Sequence, residues 1–212
     1  MIKSKMKTEI QGVVFFDIES YEDDRGVLIE LFRNDCLEKN NHPKMAYASE
    51  TKPGVTRGPH EHVDQSDLFC FIGPGTFELI LWENREDYVY EERHIVGAEN
   101  PVSVIVPPGV IHAYRNISDT IGLVFNAPNR LYAGPGKLYE VDEIRHEHDE
   151  NTIYIVDEEK IHSGVKLVSS NNGQPKKKED LKSEEKNKTS DLKKENSKNE
   201  EKNQKSDDEE NK

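Results

Sequence analysis

The sequence is poor in cysteine and tryptophan and has no long apolar run, and each shortage excludes something. Its 212 residues include two cysteines, Cys36 and Cys70, which form no CxxC pair. They suggest neither a disulfide framework nor a thiolate zinc site. Cys70 lies in the apolar run LFCFI (68–72), where a thiol behaves as a small hydrophobe. The N-terminal stretch MIKSKMKTEIQG is charged and lacks the apolar core of a secretory signal. Nothing downstream approaches the ~18 consecutive apolar residues of a membrane span. A cytoplasmic protein with no membrane partner is therefore expected. A 3.6-residue apolar stripe is also missing, since no segment holds one for three turns, and no repeat recurs at a fixed period. Only residues 34–41 could make one short helix.

Basic charge is in deficit too. Against 42 Asp plus Glu stand 29 Lys plus Arg, a net charge of -13. From residue 170 onward 12 lysines meet 12 acidic residues, so that part is balanced and the first 169 residues keep 17 basic against 30 acidic. A body this acidic repels nucleic acid and anionic lipid. The segment 169–212 is Lys, Glu, Asn, Asp and Ser, with Leu181 and Leu192 its only large apolar residues. It cannot bury enough surface to offset its ordering entropy, so a disordered tail is expected there, after one domain over residues 1–168.

What the body does have is a series of short runs rich in Val, Ile, Phe and Tyr. They are VVFFDI (13–18), VLIELF (27–32), MAYAS (45–49), LFCFI (68–72), FELILW (77–82), YVYEERHI (88–95), VSVIV (102–106), IHAY (111–114), GLVFN (122–126) and IYIV (153–156). Turn residues separate them at 23–26 (DDRG), 73–75 (GPG), 107–109 (PPG) and 118–119 (SD). Short β-branched and aromatic runs punctuated in this way predict an all-β sandwich or barrel. Trp82 reads as a core or interface residue. The GPG at 73–75 is a turn and not a phosphate loop, because no helix follows it.

Two segments carry chemistry. In GVTRGPHEH (54–62), His60 and His62 are two residues apart, so on a strand both imidazoles project from one face. The second is PPGVIHAYRN (107–116), which contains His112. Gly54 with His60 and His62, followed by the pattern PxGxxHxxxN, resembles the two linked motifs of the cupin family. That resemblance implies a double-stranded β-helix, or jelly-roll barrel. A narrower likeness extends over residues 12–145. DRGVLIE (24–30), GVTRGPH (54–60), VPPGVIH (106–112) and NRLYA (129–133) are similar, in order, to motifs of the dTDP-4-dehydrorhamnose 3,5-epimerases.

This resemblance implies an isomerase without a cofactor, which enolises a nucleotide-linked 4-keto-6-deoxyhexose at C3 and C5 in the synthesis of polysaccharide or a deoxysugar. The ketone acidifies the neighbouring C–H bonds, and a base of near-neutral pKa removes the proton. On that reading His60 is the base and Tyr132 the proton donor. Arg25 and Arg57 hold the anionic parts of the substrate, Glu30 accepts hydrogen bonds, and His112 lines the site. Like its relatives, the chain would form a homodimer. Tyr132 packed at the barrel rim, His112 satisfied by a backbone carbonyl and a structural ion pair at Arg25 are the alternative readings.

The departures from the family pattern open other possibilities. Where the family has a lysine, in a run like QxKLV, this chain reads QSDLF (65–69) and places Asp67. A carboxylate there disfavours an enolate unless something compensates. The aspartate that partners the base is Asp142 or Asp149. His62 is unexpected in the epimerases, but RGPHEH (57–62) matches equally well the RGxHAH of the nucleotide-sugar 3,4-ketoisomerases. Finally, His60, His62 and His112 with Asp67 or Glu61 make a ligand set for one divalent transition metal. With the metal come the readings of a metal-dependent isomerase, a dioxygenase or a metal-binding cupin without catalysis; a non-catalytic sugar-binding relative is a further alternative. His146 and His148 repeat the spacing in a charged segment and read as a solvated face, as His42 and His94 read as ordinary surface or edge-strand residues.

Overall fold

The computed structural model describes residue 4, residues 6–156 and the backbone of residues 166–169. The expectation of a disordered tail from residue 169 therefore concerns residues lying almost wholly outside the described part. Among the described residues eleven strands form two main sheets and two more form a hairpin, with every paired ladder antiparallel. The first sheet has the order β1-β9-β6-β11-β4, and the second β12-β5-β10-β7-β8-β13. In chain order the first contains β1 (Val14–Asp17), β4 (Tyr47–Thr51), β6 (Asp67–Phe71), β9 (Val102–Val106) and β11 (Gly122–Asn126). The second contains β5 (Thr56–Glu61), β7 (Thr76–Asn84), β8 (Tyr88–Gly97), β10 (Ile111–Asn116), β12 (Ile144–Arg145) and β13 (Lys166–Ser169). A separate hairpin joins β2 (Glu19–Asp23) to β3 (Gly26–Glu30), with Asp24 and Arg25 as its two-residue turn. This is the all-β sandwich expected from the runs and turns, and the jelly-roll that the cupin resemblance implies.

Alternation along the strands sends one set of side chains into the space between the sheets. Phe69 and Phe71 of β6, Val104 of β9 and Val124 of β11 meet Phe77, Leu79 and Leu81 of β7 and Tyr114 of β10 in the central core. Phe71, Phe77 and Tyr114 pack with ring centroids 5.6–5.7 Å apart, the spacing aromatic rings prefer. The other faces of both sheets are covered as well. Leu68, Cys70 and Ile105 pack under Phe16 and Leu37. Ile80, Trp82 and Ala113 pack under Tyr154, flanked by Ile153 and Val156. Burial on both faces explains why LFCFI and VSVIV are continuous apolar runs and not alternating ones.

Two expectations change. The run 153–156 is not a strand: it lies over Trp82 as a cover, held by the Tyr154 hydroxyl on Asn84 Oδ1 at 2.9 Å. Residues 34–41 form two short 3-10 turns, Asn34–Cys36 and Lys39–Asn41, in place of one helix. Among the described residues no helix is long and apolar enough to cross a membrane.

Candidate functional site

The site gathers at one end of the space between the sheets. β5 pairs with β10 so that His60 stands directly opposite His112, with ring centroids 4.4 Å apart. Directly opposed residues share a face, so both rings point inward with Tyr114. Farther along the ladder Arg57 opposes Tyr114, so two residues of β5, Gly58 and Pro59, stand against one of β10, Ala113. This bulge turns Arg57 onto the same face as His60. It depends on Gly58, whose φ is +85° and whose absent Cβ would sit 2.5 Å from the His112 carbonyl oxygen. His62 follows the end of β5 with its ring 5.6 Å from that of His60 and 5.9 Å from that of His112. From the facing sheet, Asp67 opens β6 and is 1% exposed. The ligand atoms of these four residues all lie within 4.8 Å of one another.

Their polar partners divide the cluster. Asp67 Oδ1 accepts hydrogen bonds from Gln65 Nε2 and Asn126 Nδ2, both at 2.9 Å. Asp67 Oδ2 lies 3.1 Å from His62 Nε2 and 3.3 Å from His112 Nε2, yet it receives no hydrogen bond, and neither does His112 Nε2. His112 Nδ1 donates to the Val110 carbonyl at 3.0 Å, and His62 Nδ1 donates to the Asp142 carbonyl. His60 has a different partner, the Glu143 carboxylate, with Nε2 to Oε1 at 3.8 Å.

The electrostatics follow this layout. Burial, then the charge that His112 and His62 can carry, pulls the His60 pKa down to about 2, so His60 is neutral. Burial also works against a charge on His62, but the Asp67 carboxylate beside it, with help from Asp142, raises its pKa to about 9. Burial opposes the Asp67 charge as well; His112 and His62 overcome it and hold the carboxyl well below the usual range.

The other residues named from sequence fall as follows. Arg57 sits at the mouth, donating to Thr51 Oγ1 at 3.0 Å and to the Glu50 carbonyl at 2.7 Å. Tyr132 is half-exposed at the rim. Arg25 and Glu30 are not brought to the histidines: they belong to the β2–β3 hairpin, which pairs with neither main sheet. Arg25 is 90% exposed and bound to Asp23, the structural ion pair weighed as its alternative. Neither proposed aspartate partners His60. Asp142 accepts the backbone N–H groups of Val63, Asp64 and Gln65 at 2.8–2.9 Å and so clamps the loop after His62. Asp149 is exposed and accepts the Asn151 N–H. Glu143, which the sequence did not single out, takes that place through the pairing of β12 with β5. His146 is also corrected: it is packed on Tyr154, ring centroids 4.6 Å apart, with Nε2 3.1 Å from Glu61 Oε1. Asn126, Gln65 and Tyr47, whose hydroxyl accepts from Asn126 at 2.8 Å, were missed. Alternation along β11 puts Asn126 on the face of Val124, and this was the one available signal.

A jelly-roll with a buried histidine cluster between its sheets, a carboxylate beside one imidazole and an arginine at the mouth is a cupin-type site fit for proton transfer. The sequence model of the dTDP-4-dehydrorhamnose 3,5-epimerase family matches residues 7–160, and the chain belongs to that family. It is 32% identical over 127 residues to the probable low-salt glycan biosynthesis epimerase of Haloferax volcanii, covering 58% of this chain and 81% of that protein. A spore coat polysaccharide biosynthesis protein of Bacillus subtilis is 34% identical over 116 residues, covering 52% and 74%. Among solved structures, the dTDP-4-dehydrorhamnose 3,5-epimerase of Bacillus anthracis, with TDP and PPi bound, shares the fold. Its TM-score is 0.57 at 18% identity, covering 71% of this chain and 87% of that one.

Proposed function

We propose that the protein is a nucleotide-sugar epimerase acting on a 4-keto-6-deoxyhexose linked to dTDP. The observation that carries this reading is the neutral His60 at the inner end of β5, set against the Glu143 carboxylate in a family of sugar epimerases. The His60 imidazole takes the C3 or C5 proton, and the electron pair of that C–H bond passes to the ketone oxygen as an enolate. Return of a proton to the opposite face inverts the carbon, so product and substrate have the same composition. A base works best when its pKa is near the working pH. Burial lowers that of His60 most and the neighbouring imidazoles add to it, while Glu143 stabilises the imidazolium His60 becomes. Arg57 supplies a fixed cation at the mouth for the diphosphate. Tyr132, half-exposed at the rim, fits the proton donor if the loop carrying it closes over the sugar.

Two coarser features accompany this reading. The β2–β3 hairpin exposes Tyr21, Val27 and Leu28, and a lone two-stranded hairpin is marginal in water, which supports a homodimer docking there. Cys36 and Cys70 are not joined in a disulfide, in keeping with a reducing cytoplasm. The test is solvent exchange. Incubation with dTDP-4-keto-6-deoxyglucose in deuterated water, followed by NMR, should place deuterium at C3 or C5, and His60→Ala should abolish it. Formation of a 3-keto sugar would replace epimerisation by ketoisomerisation, the outcome the second histidine of RGPHEH would favour.

A further inference from the structure

We propose that His62, Asp67 and His112 form a binding site for one divalent transition-metal ion, with His60 beside it and not among its ligands. The family resemblance implies a cofactor-free enzyme, so the argument rests on the atoms themselves. A backbone carbonyl can only accept a hydrogen bond. The bonds from His62 Nδ1 to Asp142 and from His112 Nδ1 to Val110 therefore place a proton on Nδ1 of each ring. With Nδ1 so occupied, Nε2 of each ring is the atom left for a cation, which on His62 would displace the proton that Asp67 favours; the two Nε2 atoms lie 3.1 and 3.3 Å from Asp67 Oδ2. Neither approach is aligned as a hydrogen bond, so these three atoms are placed to share one cation.

The carboxylate is arranged for the same purpose. Both amide donors, from Gln65 and Asn126, go to Oδ1, and Oδ2 is left without a hydrogen bond in a side chain that is 1% exposed. Fixing the outer oxygen and the outer ring nitrogens by hydrogen bonds is how proteins orient metal ligands. The spacing fits as well. Atoms about 2.0–2.2 Å from a common ion lie roughly 3.0–3.5 Å from one another, which brackets both observed distances. Gln65 Nε2 also lies 3.1 Å from His62 Nε2, a contact that an incoming ion would displace. His60 lacks this preparation, because its Nε2 faces Glu143. Two imidazoles and one carboxylate suit zinc, manganese, iron, cobalt or nickel, with open positions left over.

The consequence for catalysis rests on the epimerase reading. Asp67 by itself puts negative charge beside a developing enolate, and a 2+ ion held by that single carboxylate would restore net positive charge for the enolate oxygen to meet.

The test uses the full-length chain. Titration of metal-stripped protein with Co²⁺ should give ligand-field absorption bands that saturate at one ion per chain and are displaced by Zn²⁺. The NMR spectrum of the cobalt form should show two exchangeable, strongly shifted resonances, the Nδ1 protons of His62 and His112. His60→Ala should keep the bands and both resonances, while Asp67→Ala, its fold checked by circular dichroism, should lose the bands. Absence of bands, or bands that survive in folded Asp67→Ala, overturns the site; a third shifted resonance that disappears in His60→Ala overturns the three-ligand assignment. Deuterium uptake into dTDP-4-keto-6-deoxyglucose then separates the two readings. Uptake that falls tenfold or more on stripping and returns with Zn²⁺ or Mn²⁺ supports the catalytic role, and undiminished uptake overturns it without touching the cobalt result. No uptake in either sample overturns the epimerase reading, and the cobalt spectrum decides the metal site by itself.

Discussion

His60 and Glu143 face each other with Nε2 to Oε1 at 3.8 Å, across the ladder that pairs β12 with β5. This pairing makes Glu143 a positioning residue for the base. Glu143→Gln keeps the size of the side chain and removes the charge that stabilises the imidazolium. The expected result is a fall of roughly 10–100-fold in kcat with little change in KM, partly rescued by Glu143→Asp. A purely structural role for Glu143 would instead lower the melting temperature and leave kcat per folded molecule unchanged. His60→Ala should cost more, about 10²–10⁴-fold, since the base itself is gone.

The sequence shows the parts of this site that are local and hides those that topology assembles. His60 with His62, and His112 three residues after a Pro-Gly turn, are visible because spacing of a few residues on a strand fixes which way side chains point. Glu143, Asn126 and the contact of Asp67 with two histidines depend on strands far apart in the chain lying side by side. For the same reason β6 and β9 are easy to see as buried runs. β5, with the polar sequence TRGPHE, is a strand only because β10 and β12 pair with it on both sides. The opposite error occurs at 153–156, where apolar residues cover Trp82 without joining a ladder.

Asn126 tests whether the Asp67 carboxylate is held in one orientation by its outer oxygen. Asn126→Ala deletes the 2.9 Å bond to Oδ1 and leaves Gln65 as the remaining donor. Cobalt affinity should weaken about 10–100-fold while the stoichiometry and the shape of the bands persist. An affinity equal to that of the parent protein would mean that Asp67 needs no such support.

Gly58 links the backbone to the site. A Cβ at this position meets the His112 carbonyl oxygen at 2.5 Å, and its φ of +85° is one that L side chains rarely adopt. Gly58→Ala should therefore destabilise the fold by roughly 2–3 kcal/mol, read from the urea midpoint at constant slope. It should also reduce deuterium uptake in the fraction that remains folded, because the bulge that brings Arg57 and His60 to one face must shift. Unchanged stability would show that β5 can move away from β10 without cost.

Glu92 gives a pH dependence away from the site. Its Oε1 accepts the Glu9 N–H at 2.7 Å and its Oε2 faces His94 Nε2 at 3.0 Å. Burial works to raise its pKa, but these partners outweigh it and the folded value lies below the ordinary one of 4.5. The unfolded chain therefore binds the Glu92 proton at a higher pH than the folded chain does. Its stabilising contribution is complete above about pH 5 and is lost as the pH falls through the folded value. Glu92→Gln should be less stable than the parent near neutrality, and the gap should narrow steadily between about pH 5 and pH 3. Urea unfolding at half-unit steps across that range measures it, and a gap that stays constant would assign the Glu92 contribution to packing and not to charge.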